Sequence, residues 1–298
     1  GVNRLDAVIK AMELCNYYAM DAIGTGVLIS FAMDCCEHGI LSKKDVDGLD
    51  LRFGNHEALI EMVKKIGKRE GIGDVLAEGV KRAAEKIGKG AEKHALHIKG
   101  VEMTGYDLRG LKTASLGYAV SFRGADHNRH GCYGVDLKGT VNRFKVEKGR
   151  GKIVKDMEDL YTIIDSLIVC KFGRGTYYDG FEDLAKYYTI TTGLEMSAEE
   201  LRKSGERISN IARLFNIREG LTRKDDHLPW KVMNVPIPDD CPSKGSYVSQ
   251  KELDFLLDDY YATRGWTKEG VPTVEKLKEL ELDKFIKIVS PKVKKGAK

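Results

Sequence analysis

The sequence predicts a mainly α protein made of two packed helical domains. Three observations carry that expectation: apolar residues recur at helical spacing through most of the chain, polar cap residues stand just ahead of several of these runs, and no βαβ alternation interrupts them. The domains divide at KHALHIKGVEM, where the helical period gives way to a short extended stretch, so that residues 1–97 form one domain and 98–298 the other.

Leu5, Val8, Ile9, Met12 and Cys15 give a first helix that runs into Asn16-Tyr17-Tyr18-Ala19-Met20-Asp21. Asp21 precedes AIGTGVLISFAMDCC, a second and largely buried helix whose first free N–H groups its carboxylate can accept; Gly39 ends it. The acidic loop SKKDVDGLDLRFG lacks the Glu that closes a calcium loop, so calcium is not expected there. Asn55 is the expected cap of HEALIEMVKKIGKREG, with Leu59, Met62, Val63 and Ile66 inward, and Asp74 starts a similar helix that Gly88 closes. His94 and His97 follow in the extended stretch. With no Cys, Asp or Glu nearby in sequence to complete a metal set, they read as a surface pair.

In the second domain a helix flanked by glycines, around LKTASLGYAV, leads into a polar loop of about 25 residues, a length that usually marks function or mobility. Asp126, His127, Arg129, His130 and Cys132 make it the densest cluster of reactive groups in the chain. Next comes MEDLYTIIDSLIVCKFGRG, in which Leu160, Ile163, Ile164, Leu167 and Ile168 form an apolar stripe. Asp165 and Cys170 lie five residues apart, about 140° round a helix that persists that far. A free cysteine is more often a small hydrophobe than a ligand, and the residues alone leave both readings open. FEDLAKYYTITTG is a further helix. Ser197 and Glu200 form a capping box for a long one that buries Leu201, Ile208, Ile211, Leu214 and Phe215, the proline-rich run from Arg218 onward is extended, and Ser249 with Glu252 caps the last long helix.

A net charge of +4 is too small to imply a polyanionic partner such as nucleic acid, and the lysines of the closing PKVKKGAK read as a solvated end. The apolar runs are far shorter than the roughly 20 residues of a membrane span. The six cysteines are scattered without a C-x-x-C pair, which points to a reducing cytoplasm. A Lys and Glu bias among the charges fits a thermophile. The opening GVNRLDAV enters a helical pattern almost at once and reads as the start of a piece of a longer chain.

Seven runs, taken in order, carry a resemblance: CNYYAMDAIGTG, GNHEALIEMVKKIGKREGIGDVLAEGVKRAAEKIG, DLRGLKTASLGYA, RGADHNR, DSLIVCKF, REGLTRKDDHLP and ELDFLLDDYYATRGWTKEGVPT. The chain resembles domains 2 and 3, the helical C-terminal part, of the aldehyde ferredoxin oxidoreductase family. The resemblance implies a tungsten or molybdenum ion held by two pterins beside a [4Fe–4S] cluster. It implies oxidation of a small aldehyde to a carboxylic acid, with electrons passing to ferredoxin. In the family a D-x-x-G-L-(D/C) motif from each helical domain holds one pterin. Asn16 to Asp21 match the first motif, with Ala19-Met20 in place of Gly-Leu, and Asp165 to Cys170 match the second, with Ile168-Val169 there.

The resemblance therefore implies that Asn16, Asp21, Arg129, Asp165, Val169 and Cys170 bind cofactor. Carboxylates suit that task because a pterin edge offers N–H donors. It makes Cys170 one of four cluster ligands and His127 the catalytic histidine near the metal. The C-x-x-C-x-x-x-C motif that supplies the family's other three thiolates is not in this sequence, nor is the family's N-terminal β domain, nor the Glu-x-x-His motif of its subunit-bridging metal. The expectation is a part of an enzyme. By itself it would hold no cofactor and be inactive, its partners being the N-terminal domain or subunit, ferredoxin and, in one allowed assembly, a second copy. The rival reading is a scaffold that kept the helical bundle and lost the cofactor.

Overall fold

The computed structural model describes residues 1–289, so the basic closing segment lies outside the described residues. Helices α1 (Leu5–Tyr17), α2 (Ala22–Glu37), α3 (His56–Lys68), α4 (Ile72–Leu76) and α5 (Val80–Ile87) lead to a two-stranded antiparallel hairpin. In it β1 (His97–Ile98) pairs with β2 (Val101–Glu102), His97 opposite Glu102. Then follow α6 (Lys112–Val120), α7 (Tyr133–Leu137), α8 (Arg150–Ser166), α9 (Phe181–Thr192), α10 (Ala198–Arg218), α11 (Trp230–Asn234), α12 (Gln250–Arg264), α13 (Val274–Glu279) and α14 (Ile286–Val289). The hairpin is the only sheet among the described residues, so the expected mainly helical fold is what forms. None of these helices is by itself long and apolar enough to cross a membrane.

Contacts divide the chain into two compact units that are discontinuous in sequence. Among the described residues, the first holds 1–110, 123–126 and 228–249, and the second holds 111–122, 127–227 and 250–289. The 97/98 division read from the sequence falls inside the first unit, at the hairpin. Within that unit Ile29, Ala32, Cys35, Met62, Leu76 and Val80 share one core. Asn55 caps α3 through Oδ1, which accepts from Glu57 and Ala58 N–H. The three aspartates of the acidic loop each have separate partners: Ser42 for Asp45, Lys65 for Asp47 and Arg52 for Asp50.

In the second unit α8 is the central element, packed against α6, α10 and α12. Its apolar side, with Tyr161, Ile163 and Ile164, joins Phe181, Leu184 and Leu201. The opposite side buries charge. Arg264, fully buried, donates to Asp159 at 2.7 Å and Glu158 at 2.8 Å, and Tyr260 Oη donates to Glu158 at 2.5 Å. Burial pushes the Glu158 carboxyl above its usual range despite these partners. The expected capping box at Ser197 and Glu200 is present.

Five local expectations are corrected. The helix from Asp74 to Gly88 is two, broken at Gly79, whose φ of +89° no continuous α-helix accepts. The helix carrying Asp165 stops at Ser166, and Ile168 leaves the core at 93% exposure instead of joining its stripe. On α10 Ile211 and Phe215 face outward, since Leu201 and Leu214 already fill the buried side. The proline-rich run contains α11, and the long polar loop contains α7.

Candidate functional site

The two six-residue motifs fold into the same turn. After α1, Met20 N–H donates to Cys15 O at 2.8 Å and Ala19 N–H to Asn16 O at 3.2 Å. After α8, Val169 N–H donates to Ile164 O at 3.1 Å and Ile168 N–H to Asp165 O at 3.1 Å. Both are Schellman closures, in which the residue past the cap must be left-handed. That residue is Ala19, φ +54°, in one and Ile168, φ +58°, in the other. A glycine would take this conformation without cost. Here an alanine and a β-branched residue are held in it, so the turn is imposed by the flanking structure.

In the first unit the turn delivers Asp21 to the start of α2. Its Oδ2 accepts from Gly24 N–H at 2.5 Å, and Thr25 Oγ1 donates to Asp21 O at 2.7 Å. Asp21 and Asn16 are both exposed. Beside Asp21 opens a cavity of about 400 Å³, whose walls include Met20, Leu28, Gly67, Arg69 and Glu102. Glu102, from β2, accepts the N–H of Val80 at 2.7 Å, and a Cβ placed on Gly24 would lie 3.1 Å from Asp21 Oδ2 and 3.6 Å from Glu102 Oε2. Two carboxylates thus converge on the bare backbone of Gly24, an acceptor set suited to a ligand edge rich in N–H donors.

In the second unit the turn delivers Asp165 and Cys170. Arg129 Nη1 and Lys171 Nζ both donate to Asp165, one to each oxygen. Arg129 also donates to Thr162 Oγ1 at 3.0 Å, and its guanidinium stacks over the Phe122 ring at 4.3 Å. Cys170 leads into a short 3₁₀ turn with its thiol exposed, and its carbonyl accepts from Tyr178 Oη at 2.9 Å. Val169 is half-buried against the α8 core. The arrangement pairs a cation-flanked carboxylate with an accessible thiol, a ligand type that suits zinc, copper(I) or an iron–sulfur cluster.

The reactive loop separates into parts. His127 to Arg129 form a 3₁₀ turn that places Arg129 on Asp165, while half-buried His127 lies 5.9 Å from the Tyr133 ring. His130 is fully buried, accepts from Cys132 N–H at 3.0 Å and meets Tyr118 edge-on. Burial pushes the Cys132 thiol well up, so it is an inert core residue. Sequence reasoning missed Glu102, because nothing local ties β2 to Asp21, and it did not pair Lys171 with Asp165. The spacing of six residues, across a turn rather than along a helix, could have suggested that pair.

A family model described as aldehyde ferredoxin oxidoreductase, domains 2 and 3, matches residues 1–282. The chain belongs to the aldehyde ferredoxin oxidoreductase family. It is 37% identical over 293 residues to a tungsten-containing aldehyde ferredoxin oxidoreductase of Pyrococcus abyssi, an alignment covering 96% of this chain and 47% of that protein. It is 29% identical to an aliphatic sulfonate oxidoreductase, WOR-like subunit, of Pyrococcus furiosus, covering 94% of this chain and 43% of the other. Among solved structures it is similar to the active-site complex BamBC of benzoyl coenzyme A reductase bound to 1,5-dienoyl-CoA. That match has a TM-score of 0.70 and 25% identity over 93% of this chain and 46% of that one. The chain thus spans about half the length of the relatives it matches, and the solved one shares its fold over the matched part. Exposed apolar side chains lie along α1, at Leu5, Ile9, Met12 and Tyr17, and in the stretch after α8, at Ile168, Phe172 and Tyr177.

Proposed function

We propose that this chain is the cofactor-holding helical part of a tungsten-pterin oxidoreductase that converts an aldehyde and water into a carboxylic acid, two protons and two electrons. The electrons pass through a [4Fe–4S] cluster to ferredoxin. The observation that carries this reading is the pair of equivalent turns, each left-handed at the position where the family motif has glycine and each followed by the residue, Asp21 or Cys170, that the motif requires.

The residues present fit the group. When bound, the tungsten-pterin supplies the two-electron redox chemistry. Asp21, helped by Glu102 and by the exposed Asn16 amide, accepts N–H groups of one pterin. Asp165 and Val169 line the second, and Arg129 holds the Asp165 carboxylate in place. Cys170 gives its thiolate to one iron of the cluster. His127, two residues before Arg129 in the same 3₁₀ turn, would take up or return the proton released at the carbonyl carbon. The exposed apolar side chains along α1 and after α8 are of the kind that a further domain or subunit covers.

The test uses the full-length protein. Asp21→Asn and Asp165→Asn should each lower bound tungsten, and Cys170→Ala should lower iron without unfolding either unit. His127→Gln should lower kcat by about 10²–10⁴-fold with tungsten unchanged. If all four variants keep parental metal content and turnover, these residues are structural and the reading fails. A second reading, a substrate other than a free aldehyde, is favoured by the relatives named for an aliphatic sulfonate and for benzoyl coenzyme A. A substrate panel on the same preparation separates the two.

A further inference from the structure

The far end of α2 carries a cluster that the turns do not use. Asp34 lies thirteen positions beyond Asp21 on one helix (34 − 21), about 20 Å along its axis. Its carboxylate is 13% exposed and stands between two imidazoles, with His94 Nδ1 2.6 Å from Oδ2 and His38 Nδ1 3.4 Å from Oδ1. The two rings lie 4.6 Å apart between centroids. One carboxylate oxygen and one nitrogen from each histidine therefore fall within 4.8 Å of one another. A cation already fills part of this space: Lys231 Nζ, from α11, sits 2.5 Å from Asp34 Oδ2.

We propose that Asp34, His38 and His94 bind a divalent transition-metal ion of the zinc class, with Lys231 taking the ion's place when none is bound. Two imidazoles and a carboxylate are a nitrogen and oxygen set that suits zinc, whereas calcium and magnesium call for mostly oxygen ligands. Ligands about 2.0–2.2 Å from a tetrahedral zinc stand about 3.3 Å from each other, so the 2.6 Å contact of His94 with Asp34 must open slightly while the wider separations, all within 4.8 Å, need a closure. His38 can supply it, being 53% exposed at the end of α2. Its Nδ1 would give up a 2.9 Å contact with Asp34 O, the i to i+4 carbonyl of its own helix. Lys231, 31% exposed, has solvent to turn into. The ion would tie α2 to a segment 60 residues on and leave a fourth position for water.

The experiment measures zinc per chain by mass spectrometry on the full-length protein after dialysis against micromolar zinc, with iron and tungsten read in the same run. The parent should retain one zinc that Asp34→Asn and His94→Ala lose. His38→Ala should bind at least about 10-fold more weakly, and Lys231→Met more tightly, with iron and tungsten unchanged throughout. Because His38 is exposed, its variant keeps the test decisive should Asp34→Asn fail to fold. Parental zinc content and affinity in His38→Ala, or no retained zinc in the parent, would overturn the proposal and leave a lysine-centred ion pair.

Discussion

The turn after α1 and the turn after α8 follow the same backbone path but are held by opposite means. α1 buries only small side chains, Ala7, Ala11 and Cys15, while Leu5, Ile9 and Met12 stay more than half exposed. Its turn is fixed at Tyr18, which packs so closely on α3 that a Cβ on Gly67 would lie 2.5 Å from the ring. α8 sinks two acidic residues into the second unit and neutralises them with Arg264. A left-handed residue needs a rigid base whichever way it is made. Close packing and buried charge both provide one, and they fail differently under mutation.

The largest effect should come from the charged base. Arg264→Met leaves Glu158 and Asp159 buried without their guanidinium, and should destabilise the protein by about 3–5 kcal/mol in denaturant unfolding. A loss below about 1 kcal/mol would show that the network does not anchor α8. The packed base should be next. Gly67→Ala drives a methyl into Tyr18 and should cost about 1–3 kcal/mol, and a neutral result would remove Tyr18 as the clamp. Asp21→Ala should cost about 1 kcal/mol through the lost cap on α2. Asp165 caps no helix, but its alanine variant leaves the buried Arg129 guanidinium without its carboxylate, and calorimetry should show a loss from that broken ion pair.

Smaller effects separate the turns themselves. Ile168→Gly should stabilise by about 1 kcal/mol, because a left-handed conformation costs an L residue about 1–2 kcal/mol and glycine returns part of that as chain entropy. Ala19→Gly should also stabilise, by less, because alanine carries the left-handed cost without the added stiffness of a β-branch. Equal gains at the two sites would mean that β-branching at Ile168 adds nothing. The mildest test is acid. Burial, then the nearby Lys81, holds half-buried His97 below its usual 6.5. The unfolded chain then binds a proton that the folded chain refuses between these two pKa values. Stability is therefore full above pH 6.5 and lost as pH falls through that window, by at most about 1.4 kcal/mol per pH unit. His97→Gln should flatten this slope relative to the parent. His227 in the second unit, also lowered by burial, keeps a slope of the same sign in both proteins.

What is local was legible in the amino-acid sequence. The caps at Asp21, Asn55 and Ser197, the helical periods and the two six-residue turns all rest on hydrogen bonds that span five residues or fewer, and such patterns are written in neighbouring letters. Family membership was legible for the same reason. Folding alone brings Glu102 beside Asp21 by capping Val80, 22 positions away, and carries Arg129 across 36 positions to Asp165. His94 was expected to pair on the surface with His97, yet it faces Asp34, and Lys231 reaches the same carboxylate from 197 positions on. Those partnerships depend on how helices pack. The residues brought together carry no shared period or spacing, so packing had to be solved before their chemistry could be read.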